Sequence, residues 1–160
     1  MGSFTRLVVS VLLTATGAVL GALASREAAD FYGSLQLPSW APPGGVFGPV
    51  WTVLYVLMAI AFWRAWNAAP AGGGAVPIGL YVLQLAANAL WSWLFFAWHR
   101  GASALLDIGV LWALIVATIL VFRRHDRWAA WLLAPYLAWV SFAAVLNFAV
   151  WRANPVVLAG

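Results

Sequence analysis

Apolar residues gather into five runs, at 5–25, 46–67, 77–98, 102–122 and 128–151. Each is about twenty residues long, enough at about 1.5 Å per helical residue to cross a hydrocarbon core of about 30 Å. The breaks between them are 26–45, 68–76, 99–101 and 123–127. The last three are short enough to make neighbouring helices antiparallel. The first is different. Within it Pro38, Pro42 and Pro43 remove backbone donors, and Gly33, Gly44 and Gly45 loosen the chain. It also carries Phe31, Tyr32 and Trp40, and Phe47 follows just beyond it, which a solvated linker would lack. This pattern predicts a loop that packs its own side chains and lies on the bundle as a lid. The chain then enters a helix at Pro49, with Trp51 and Tyr55 one turn apart on one face.

Composition turns this pattern into a membrane protein. The chain of 160 residues is 66% hydrophobic and 8% charged, where soluble domains carry about 25% charge. A core of this size cannot hide so much apolar surface from water, so lipid must solvate much of it. The expected architecture is an all-α membrane protein, a single domain over 1–160, with five transmembrane helices and a long structured loop between the first two. The apolar run after Arg6 is too long for a signal peptide and is read as a span. Cysteine is absent, which removes disulfides, thiolate nucleophiles and thiolate metal sites. All eight basic residues are arginine, scattered as interface anchors rather than clustered for nucleic acid. Arg6, Arg64, Arg123, Arg124 and Arg127 fall on the N-terminal side, and Arg26, Arg100 and Arg152 on the other. That bias predicts a cytoplasmic N-terminus, with the lid on the far face.

The spans carry few polar groups. Gly17 and Gly21 form a G-x-x-x-G beside Ala18 and Ala22, suited to close packing within the bundle or to a dimer face. Gln84, Asn88 and Trp91 make one stripe on the third span, facing either a ligand or another helix. Asp107 is the lone carboxylate of the fourth span and is expected to pair with a nearby arginine or to snorkel. Pro135 should bend the fifth span. There Tyr136, Trp139 or Val140, Ala143 and Asn147 make a stripe of large, small and polar residues. Trp98, Trp128 and Trp151 fit an interfacial belt. Trp91 and Trp139 lie deeper, beside amides, and point to an apolar cavity with a few orienting donors. His99 and His125 share no ligand spacing, so no metal site is expected.

Several motifs then fall in order: Pro38-Ser39-Trp40-Ala41-Pro42-Pro43, Gly48-Pro49-Val50-Trp51 with Leu54-Tyr55, Gln84-Leu85-Ala86 with Asn88 and Trp91, and Pro135-Tyr136-Leu137-Ala138-Trp139 followed by Leu146-Asn147-Phe148 and Val150-Trp151-Arg152. Over 31–154 the chain resembles the TspO/MBR family, the tryptophan-rich sensory proteins of bacteria and the translocator (peripheral-type benzodiazepine receptor) proteins of mitochondria. Asp107 also matches a position where that family often has an acid. The resemblance implies five transmembrane helices, commonly paired as a homodimer in a bacterial envelope. It implies a pocket under the loop that binds protoporphyrin IX or haem, and isoquinoline carboxamide or benzodiazepine drugs, with no cofactor required. Carried over, the pocket would hold Tyr32, Pro42, Trp51, Tyr55, Asn88, Trp91, Trp139 and Ala143; the stripe on the fifth span adds Asn147. Some family members are credited with light- and oxygen-dependent porphyrin breakdown, for which Trp51 and Trp139 are the matching tryptophans. A transporter is the remaining alternative.

The chain departs from the family pattern at three places. Leu37 stands where Lys is frequent, Gly45 where Trp is frequent, and Phe148 where the sterol-recognition segment of animal members needs Tyr, so sterol binding is not inferred. The sharpest expectation is that Trp51 and Trp139 face one cavity, lined also by Asn88 and Ala143.

Overall fold

A computed structural model describes residues 1–70 and 72–159. Ala71, inside the predicted 68–76 connection, and Gly160 lie outside the described residues. All regular structure among the described residues is helical: α1 (Ser3–Ala24), α2 (Ala28–Ser34), α3 (Phe47–Ala68), α4 (Ala75–Ser92), α5 (Gly101–His125), α6 (Arg127–Leu132) and α7 (Ala134–Ala153). Five helical segments, with α6 and α7 counted together, are long and apolar enough to span a membrane. Their outward residues, such as Leu12, Val53, Leu83, Leu106 and Val145, are exposed and apolar, as a lipid-facing surface requires.

Local chemistry sets the helix ends. Asp126 caps α6 by accepting from the Trp128 and Ala129 amides, and its carboxylate also meets Arg64 of α3 at 2.8 Å. The predicted bend in the fifth span is a break at Leu133, and Pro135 occupies the first turn of α7, where its missing N–H is harmless. The third span ends in a π-helical turn, Trp93–Ala97, in which Trp98 N–H reaches Trp93 C=O at 2.8 Å and Arg100 N–H reaches Leu94 C=O at 2.7 Å. His99 follows in the left-handed region at φ 54°. The long connection is more ordered than a loop, since α2 lies within it and a 3₁₀ turn, Gly44–Val46, leads into α3.

The half of the bundle away from α2 is filled. Phe62 stacks on Tyr81 at 4.2 Å, Phe122 extends the stack, and the Thr14 and Tyr81 hydroxyls share a 2.6 Å hydrogen bond. Arg6 donates to Trp66 C=O at 2.9 Å and tethers α1 to α3 there. At the other end Gly101 lets α5 meet α7, since a Cβ on it would lie 2.5 Å from Trp151 Cδ1. Trp151 is therefore packed and half-buried, whereas Trp98 and Trp128 are exposed.

Candidate functional site

A cavity of about 450 Å³ lies under α2, between the lid-side halves of α1, α3 and α4. One wall is aromatic, with Tyr32, Phe47, Trp51, Tyr55, Trp91 and Phe96. Small residues complete the lining: Ala18, Gly21 and Ala22 of α1, Ala28 and Ala29 of α2. Ser25, Thr52 and Ser92 add hydroxyls at its edges. A cavity lined by aromatic rings together with methyls and backbone suits an apolar aromatic molecule.

The amides of the predicted stripes stand behind the aromatic wall. Asn88 accepts from Tyr55 Oη at 2.9 Å and donates to Tyr136 Oη at 3.0 Å. Asn147 accepts from Trp91 Nε1 at 3.0 Å and donates to Gly101 C=O at 3.1 Å. Both asparagines are buried, and each fixes an aromatic side chain that faces the cavity. Gln84, the third amide, is buried, and neither polar atom of its side chain has a partner among the described residues.

Tyr32 belongs to both lid and cavity. Its hydroxyl donates to Pro42 C=O at 3.1 Å, which folds the lid onto itself, and burial pushes its phenol above the ordinary range, so it stays a donor. Phe31 beside it stacks on His99 with ring centres 4.0 Å apart, so the loop after the π turn supports α2 from below. Trp40 is half exposed and meets Phe142 edge-on at 5.9 Å.

Of the residues expected at the site, Tyr32, Trp51, Tyr55 and Trp91 line this cavity. Asn88 and Asn147 back it, and Pro42 supports Tyr32. Trp139 and Ala143 do not line it. The predicted cavity shared by Trp51 and Trp139 is not what the fold builds. The buried stripe of α7 runs through Tyr136, Val140, Ala143 and Asn147, leaving Trp139 at its edge. Trp139 lines an outer groove with Pro49, Val50 and Phe142, and Phe47 stands between it and the cavity, 5.8 Å from its ring. Asp107 likewise makes no ion pair among the described residues, and its Oδ2 is buried without a partner.

The small wall was the part missed in the sequence. Gly17 and Gly21 both turn inward. A Cβ on Gly17 would press on Leu85 at 3.1 Å, whereas one on Gly21 would only touch Ser92 Oγ at 3.5 Å and Tyr55 Oη at 3.7 Å. The motif therefore changes use along its length, from helix packing to cavity wall. Its small residues were the available signal.

The TspO/MBR family model matches residues 9–152. The tryptophan-rich protein TspO of Chlorobaculum tepidum is 38% identical over 148 residues, covering 90% of this chain and 92% of that relative. Protein CrtK of Rhodobacter capsulatus is 37% identical over 154 residues, covering 96% and 95%. The translocator protein of Bos taurus is 38% identical over 154 residues, covering 93% and 90%. With its motifs, its five apolar helices and these near full-length matches taken together, the chain belongs to the TspO/MBR family.

Proposed function

We propose that this protein binds a flat tetrapyrrole, protoporphyrin IX or haem, in the cavity under α2, and acts as a membrane sensor or regulator through that binding. The observation that carries this reading is a cavity lined by aromatic rings, two of them held by Asn88 and Asn147, and by small Ala and Gly residues. Stacking on Trp and Tyr faces favours a planar macrocycle, and the edge hydroxyls and Arg26, adjacent to Ser25, suit its propionates. The aromatic lining supports holding the macrocycle by its faces. Isoquinoline carboxamide and benzodiazepine compounds, being aromatic and apolar, belong in the same space.

Tryptophan-fluorescence titration with protoporphyrin IX in bilayer discs tests the reading. Saturable quenching that an isoquinoline carboxamide competes away supports it; quenching that rises linearly with lipid-partitioned porphyrin overturns it. A second reading, light- and oxygen-dependent porphyrin breakdown, draws on the position of Trp51 in the cavity wall. Breakdown that stops under anaerobic illumination and slows in Trp51→Phe would favour it. The proposal extends to a homodimer in a bacterial envelope with a cytoplasmic N-terminus. Gly17 and Gly21 are buried in the bundle, which supports packing rather than dimerisation as the use of this motif.

A further inference from the structure

Asn154 caps the end of α7 and is not among the cavity's lining residues, yet it holds the lid. Its Oδ1 accepts from the Gln36 N–H at 2.8 Å, and its Nδ2 donates to the Gln36 C=O at 2.9 Å and to Val150 C=O at 2.8 Å. One side-chain amide thus pairs with both backbone groups of a residue 118 positions away, as a neighbouring strand would. The site is built for this. Asn154 is buried, Leu35 and Leu158 are buried beside the contact, and Gln36 points its own side chain outward. Among the described residues these are the only hydrogen bonds that tie the stretch 27–43 to a helix distant in sequence. Further long-range support comes from apolar packing, with Phe31 on His99 and Phe95, Trp40 on Phe142, and Leu35 in the core.

We propose that Asn154 is the latch of the lid, a positioning residue that sets how often the cavity opens without touching what lies inside it. The proposal rests on the cavity being the ligand site for its kinetic part, and on the geometry alone for its structural part. Losing two hydrogen bonds to backbone raises the open population by about tenfold. The lid then swings on its two ends, the turn before α2 and the glycines before α3. Because Asn154 grips main chain, Gln36→Ala leaves the latch intact.

The test uses the full chain in bilayer discs, with Asn154→Ala, Asn154→Ser and Gln36→Ala. Backbone amide exchange over 28–36 should quicken about tenfold in both Asn154 variants and stay at the wild-type rate in Gln36→Ala, with α3 and α5 unchanged. Stopped-flow quenching by protoporphyrin IX should show association and dissociation both quickening by a similar factor. Exchange over 28–36 unchanged in the Asn154 variants, or raised equally in every helix, overturns the latch. So does quickened exchange with unchanged porphyrin rates. If wild-type protein fails to bind the porphyrin, the functional reading falls while amide exchange still decides whether Asn154 holds the lid.

Discussion

Asn88 has one phenol on its carbonyl and another on its amino group, so two aromatic positions depend on one side chain. Asn88→Leu would strand the hydroxyls of Tyr55 and the fully buried Tyr136. Each buried orphan costs about 1–3 kcal/mol. The melting temperature should fall and porphyrin affinity should weaken, because Tyr55 is no longer held; an unchanged melting curve would mean that the hydroxyls find other partners. Gly101→Ala should be destabilised by about 1–3 kcal/mol through the clash with Trp151, read as a lower melting temperature with no loss of porphyrin affinity in the folded fraction. The sequence places Gln84, Asn88 and Trp91 on one inward face, and the structure keeps them there. What spacing does not say is whether such a face meets a ligand or another side chain. On α7 a step of three reaches Trp139 and a step of four Val140, and the expectation falls on Trp139. Packing puts Val140 inside, and Trp139 turns to the outer groove.

Among the elements, the five spans were legible because a twenty-residue apolar run has few other uses. The order inside 26–45 was not, because α2 is only 7 residues long and has no strong periodicity of its own. It is fixed by partners distant in sequence, His99 and Asn154. The π turn that brings His99 under Phe31 has no sequence mark either. His99→Ala should loosen α2, seen as faster amide exchange over 28–34, while α4 and α5 keep their protection. The two small-residue positions on α1 and α7 separate by role. Ala22→Leu adds bulk at the cavity rim and should weaken protoporphyrin IX binding by about tenfold without changing the melting temperature. Ala143→Leu adds the same bulk to the packed core and should lower stability by about 1–3 kcal/mol while leaving the cavity its volume.

For the whole molecule, an odd number of spans puts the two ends on opposite sides of the bilayer. The chain has no cysteine, so single cysteines at Ser3 and Val156 report that directly. A maleimide that cannot cross lipid should label Val156→Cys on intact spheroplasts, and Ser3→Cys only after lysis. Labelling of Ser3→Cys alone would invert the topology. The two halves of the bundle also differ in a way that bears on any assay in closed vesicles. The cavity occupies the half under α2, and the opposite half is closed by the Phe62, Tyr81 and Phe122 rings. The fold is a cup rather than a tube, so contents should enter and leave by the rim. In reconstituted liposomes, an anionic porphyrin too polar to cross lipid should reach only those molecules whose rim faces out. The apparent number of binding sites would then report the orientation of the population, and detergent would reveal the remainder.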